Sequence, residues 1–85
     1  MKHAGDETLD AIEALLAQLR ALDGVREKKR GVFYRKSGAF LHFHEDPAGI
    51  FAHIKTDGDW ERINITRAAP RRELLKRVRG ILKDK

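Results

Sequence analysis

Three histidines carry the chemistry this chain can most readily be imagined to perform. His42 and His44 stand two apart in Phe40-Leu41-His42-Phe43-His44-Glu45-Asp46, and His53 follows in Ile50-Phe51-Ala52-His53-Ile54. In a strand, residues two apart share a face. A hairpin closing on Asp46-Pro47-Ala48-Gly49 would set His53 across from His42, so that three imidazoles gather on one surface. A His-x-His pair with a third histidine on the next strand is a pattern that catalytic zinc sites use, with the fourth position left to water. His42, His44 and His53 are therefore the candidates for a metal. No orienting second shell is evident, and Arg62 would stand opposite His53, so no metal or cofactor is expected.

The same spacing brings aromatic and cationic residues to that surface. Phe33, Phe40, Phe51 and Trp60 alternate with Arg35, Lys55 and Arg62, the mixture that base stacking with phosphate neutralisation would need. Together with the histidines these form the candidate nucleic-acid or partner-binding set. An aromatic patch with an arginine rim also suits a protein interface, so a homodimer or a protein partner stands beside nucleic acid. Nothing points to an enzyme. Ser37 and the threonines 8, 56 and 66 have no histidine and acid arranged around them, and no glycine-rich phosphate loop or EF-hand spacing occurs.

The elements that must position these residues are legible from periodicity. Residues 6–22 predict an amphipathic helix, with Leu9, Ile12, Leu15, Leu16, Leu19 and Leu22 on one stripe. Asp6 is its expected N-cap, and Gly24 its expected left-handed stop. Residues 25–30 read as a charged connector or as the frayed start of a strand. Turn signals at Ser37-Gly38, Asp46-Pro47-Ala48-Gly49 and Asp57-Gly58 then predict strands near 31–36, 39–45, 50–56 and 59–66. A second helix is expected over 69–83, with Pro70 in its first turn and Leu74, Leu75, Val78, Ile81 and Leu82 inward.

Pairing across those turns sorts the strands into two faces. Val32, Tyr34, Leu41, Phe43, Ile50, Ala52, Ile54, Ile63 and Ile65 are expected in the core, and the candidate binding set opposite. Glu61 falls on the core side, which suggests the end of the sheet. The expected fold is α+β, a two-layer α-β-β-β-β-α arrangement. It has a four-stranded antiparallel meander with both helices on one face, in a single domain over 1–85.

Composition bounds the partners. Of the net charge of +5, residues 24–36 carry +5 and residues 67–85 carry +6, while 1–23 and 37–66 carry −3 each. Segregated basicity favours a polyanion. There are no cysteines, which excludes disulfides and thiolate sites. No segment approaches the roughly 20 apolar residues of a membrane span, and the amino terminus has no apolar run, so no membrane partner and a cytoplasmic location are expected.

Three strings resemble a known group. Leu22-Asp23-Gly24-Val25-Arg26-Glu27, Val32-Phe33-Tyr34-Arg35-Lys36-Ser37-Gly38-Ala39-Phe40 and Trp60-Glu61-Arg62-Ile63-Asn64-Ile65 are similar to the bacterial MmcQ/YjbR-like small proteins, over about residues 9–83. The resemblance implies a frataxin-like, double-wing α/β fold and a DNA-binding label that itself rests on fold analogy. The chain departs from the pattern by being shorter, by its His42-Phe43-His44-Glu45-Asp46 segment, and by having Ala39 where that group has lysine.

Overall fold

The computed structural model describes residues 2–83. Within them the order is β1 (Lys2–His3), α1 (Asp6–Ala11), α2 (Glu13–Arg20), β2 (Arg26–Lys29), β3 (Val32–Arg35), β4 (Gly38–Asp46), β5 (Gly49–Thr56), β6 (Asp59–Asn64) and α3 (Ala68–Lys83). The α+β class and the antiparallel sheet stand as expected, but the sheet has six strands rather than four. Five run in the order β2-β3-β4-β5-β6, and β1 pairs with β4. Each of the two additions has its own origin. Arg26–Lys29 extends the sheet by pairing with β3, and Lys2–His3 lies along Glu45 and His44.

The leading helix is two helices. Ile12 stands between them with φ −115° and ψ 21°, off helical geometry, while its side chain is 1% exposed. The apolar stripe continues through the break, so Leu9, Ile12, Leu15, Leu16 and Leu19 all reach the core. Gly5, not Asp6, holds the N-cap position, and its N–H is bound by Glu45 Oε1 at 2.8 Å. The second helix ends at Arg20 with Ala21 as its right-handed C-cap, earlier than the expected Leu22, so Gly24 at φ +101° is not the helix stop but a residue of the turn that leads into β2. Leu74, Leu75 and Val78 from α3 join the same core.

Three registers were expected, and two form as expected. Across β4 and β5, Leu41 faces Ile54, His42 faces His53 and Phe43 faces Ala52. Across β5 and β6, Ala52 faces Ile63, His53 faces Arg62 and Lys55 faces Trp60. Asp57 and Gly58 at φ +51° and +86° form the hairpin turn between them.

The β3–β4 register differs. Its turn is centred on Lys36 and Ser37, with Lys36 at φ +59°, one residue earlier than Ser37-Gly38. Arg35 pairs with Gly38 and Tyr34 with Ala39, then Phe40 bulges, so that Phe33 meets Leu41 and Val32 meets His42. The net effect is a one-residue slip, which reverses the faces of β3. Phe33 (0% exposed) and Phe40 (4%) enter the core, whereas Val32 and Tyr34 leave it for the opposite face. Two phenyl rings bury more apolar area than a valine and a phenol whose hydroxyl would need a partner, which favours this register.

Polar contacts tie the helices to the sheet. Arg20 bridges Glu13 and Glu27, and Arg30 reaches Asp10 and Glu13 at 2.8 Å each, which fastens β2 and its turn to α1 and α2. Glu61, placed by pairing on the core side, meets Arg77 of α3 at the sheet end, so the mismatch in the apolar pattern is an ion pair.

Gly49 gives a first prediction. It lies at φ +137°, and a Cβ there would come within 2.0 Å of Thr66 Oγ1, the atom that accepts the Ile50 N–H at 3.0 Å. Gly49→Ala is expected to cost about 2–4 kcal/mol in thermal or urea unfolding. Gly58→Ala, at φ +86° with nothing within 4 Å, should cost about 1–2 kcal/mol for its backbone alone. Equal losses would show that the Thr66 contact plays no part.

Candidate functional site: the outer sheet face

Alternation along the paired strands assigns the side chains on the face away from the helices. Arg26 and Lys28 come from β2, Val32 and Tyr34 from β3, and His42 and His44 from β4. Phe51, His53 and Lys55 come from β5, Trp60 and Arg62 from β6, and His3 from β1. The intervening Glu27, Glu45, Asp59 and Glu61 alternate to the helix side. Asp46, which ends β4, is turned into its own hairpin, where Oδ1 accepts the Ala48 N–H at 3.0 Å. The face is thus built of cations, imidazoles and aromatic rings.

Three cation–ring pairs line it. Lys28 Nζ lies 4.6 Å from the centre of the Tyr34 ring, Lys55 Nζ 5.8 Å from that of Trp60, and the Arg62 guanidinium carbon 5.4 Å from that of Phe51. Such contacts hold extended cations over the rings they flank. Trp60 is 45% exposed, a large apolar surface left in water.

The imidazoles form the centre. His42 and His44 have ring centroids 4.7 Å apart, and His42 Nδ1 lies 2.7 Å from His44 Nε2. His53 stacks on His44 at 4.2 Å and 24°. His3 adds a fourth ring, 4.6 Å from His44 and 5.8 Å from His42, because the Lys2–His3 strand is held there by its pairing and by the bond from Ala4 N–H to Phe43 O at 3.1 Å. Trp60 closes the opposite side, 4.7 Å from His42.

Packing neutral rings against each other has an electrostatic consequence. Burial, followed by the proximity of His53, His42 and His3, pushes the His44 pKa down to about 4. Burial also lowers His42, with His53 and His3 adding to the effect. For His53 burial acts first and the Arg62 charge second, in the same direction. Among the described residues, His44 Nδ1 and His53 Nε2 are buried without a hydrogen-bond partner. Glu45, the carboxylate nearest in sequence to His44, is committed elsewhere. It accepts the Gly5 N–H and the Thr8 hydroxyl, both at 2.8 Å, and these bonds hold its pKa low.

Of the residues singled out by sequence, His42, His44, His53, Phe51, Lys55, Trp60 and Arg62 do share this face. Phe33 and Phe40 do not, being core residues. Arg35, in step with Phe33, lies against the Phe40 ring at 5.9 Å and lines a hollow with Arg77 and Ile81 of α3. Four residues were missed. Tyr34 and the β2 cations Arg26 and Lys28 follow from the altered β3 register and the extra strand. His3 has no local signal at all, since its neighbour His44 is far away in sequence.

Among the described residues, no helix is long and apolar enough to cross a membrane. Compared with known proteins, the chain matches no family model, no curated protein and no solved structure.

Proposed function

We propose that this protein is a small non-enzymatic binding module whose outer sheet face takes a single-stranded nucleic acid. The observation that carries this reading is the composition of that face. Arg26, Lys28, Lys55 and Arg62 alternate with Tyr34, Phe51 and Trp60, while Glu27, Glu45, Asp59 and Glu61 lie on the other side. Cations along such a face would neutralise phosphates, and rings between them would stack on bases regardless of sequence. The stacking set is Tyr34, Phe51 and Trp60, replacing the set that included Phe33 and Phe40. The DNA-binding label of the MmcQ/YjbR-like group points the same way by fold analogy alone.

The rival reading, a homodimer or protein-partner interface, drew on four large rings in one patch. With Phe33 and Phe40 in the core, two of those rings are withdrawn from it. What remains carries too much charge to be a dry interface.

The test is titration of short single-stranded oligonucleotides, followed by quenching of Trp60. Three or four phosphate contacts give a slope of about −2 to −3 in log affinity against log salt. Trp60→Ala, followed by the anisotropy of a fluorescently labelled oligonucleotide, should weaken binding by about 1–3 kcal/mol. Absence of binding by micromolar protein at low salt rules the proposal out, and light scattering that finds a stable dimer occluding Trp60 favours the rival.

A further inference from the structure

We propose that His3, His42 and His44 form a site for one divalent transition-metal ion of the zinc class. His42 and His44 come from alternate positions of β4, and His3 is delivered by β1, paired directly with His44. One ligand nitrogen from each of the three lies within 4.8 Å of the others. Two imidazole nitrogens bound to zinc at 2.0–2.1 Å and a tetrahedral angle stand about 3.3 Å apart. His42 Nδ1 and His44 Nε2, at 2.7 Å, therefore need to separate by only a fraction of an ångström to admit an ion between them. His3 is exposed, on a strand of two residues, so its ring has room to close the third side.

The ligand chemistry agrees with this assignment. Three neutral imidazoles suit zinc, nickel or copper better than calcium or magnesium, which require oxygen. Arg62, opposite His53, lies over the Phe51 ring, and its charge is felt at His53 rather than at His42 or His44. His53 stacks flat on His44, an orientation that supports the ligand ring without presenting a nitrogen to the same point. The ligand set therefore differs from the His42, His44 and His53 trio that strand spacing alone suggests. Three protein ligands leave the ion a further position, open to water or an anion.

The experiment is calorimetric titration of untagged, metal-stripped protein with zinc chloride at neutral pH, with circular dichroism confirming that each variant is folded. One equivalent should bind. His44→Ala and His3→Ala should each weaken binding by at least about tenfold, whereas His53→Ala should change it by less than about threefold. His3 is exposed on a short terminal strand, so His3→Ala tests the set even if His44→Ala perturbs the fold. No saturable binding by the wild-type chain overturns the proposal. A set of variants in which His53→Ala is damaging and His3→Ala is silent overturns it equally. Oligonucleotide binding that survives in a chelator leaves this result independent of the nucleic-acid reading.

Discussion

Phe33→Ala is expected to destabilise the protein by about 3–5 kcal/mol, while Tyr34→Ala costs about 1 kcal/mol or less. The two residues are neighbours on one four-residue strand, so helix or strand propensity cannot separate them. Their environments do. The Phe33 ring is 0% exposed among Leu41, Phe43 and the helices, and its removal leaves both lost transfer energy and a cavity that a dense core fills poorly. Tyr34 lies partly exposed on the outer face beneath the Lys28 ammonium. A chain of 85 residues has on the order of 4–13 kcal/mol of stability to lose, so Phe33→Ala should remove a large part of it. Urea unfolding monitored by far-ultraviolet circular dichroism measures both. A larger loss from Tyr34→Ala would mean that β3 sits in the register that a Ser37-Gly38 turn dictates, and the one-residue slip would be wrong.

Acidification should weaken the metal-free protein well before its carboxylates titrate. His44 binds a proton near pH 4 in the folded chain and near 6.5 when unfolded, so between these values the unfolded state holds the proton and the folded state does not. The contribution of His44 to stability is therefore complete above 6.5, falls as the pH drops through this window, and levels off below about 4. From pH 7 to 5 the loss from His44 comes to about 2 kcal/mol, and His42 and His53, lowered in the same direction, add to it. The groups that set this behaviour face the cluster from three strands besides β4. They are His3 from β1, His53 from β5 and Arg62 from β6, and none can supply a negative charge to a protonated imidazole. Glu13, Glu27, Glu45 and Glu61 are all lowered below the ordinary 4.5, so the stability they contribute is lost only as the pH falls through about 4.5 and lower, and the interval from pH 7 to 5 reports the imidazoles.

The readout is the melting temperature in a chelating buffer, which for a domain of this size should fall by about 8–16 °C for 2 kcal/mol. His44→Gln should flatten the curve. An unchanged melting temperature between pH 7 and 5 would mean that the four rings are not packed together in solution. The proposed ion would act on the same cluster, because a metal competes with protons for the lone pairs of neutral imidazole.

Much of this was legible in the sequence because the signals are local. The Asp57-Gly58 turn and the Asp46-Pro47-Ala48-Gly49 turn set the β4–β5–β6 registers within hairpins of a few residues, and with them the meeting of His42, His53, Trp60 and Arg62 on one face. The leucine stripe of residues 9–19 was equally plain, since a 3.6-residue period needs no tertiary partner to be read. Composition alone separated the acidic and basic blocks.

Two outcomes depended on the folded whole. At the first hairpin, Ser37-Gly38 and Lys36-Ser37 are both workable turns, and local chemistry does not choose between them. The core chose, by admitting the rings of Phe33 and Phe40 through a bulge and turning Tyr34 outward. The position of His3 is the other case. Nothing near the amino terminus predicts that Lys2–His3 will continue along β4 where β3 ends, since the partners lie far apart in sequence and the strand is only two residues long. Short-range turn geometry determined which strands face each other. Long-range packing decided which side chains reach the outer face and brought the fourth imidazole to it, because burial of apolar rings and pairing of a distant edge are properties of the whole fold.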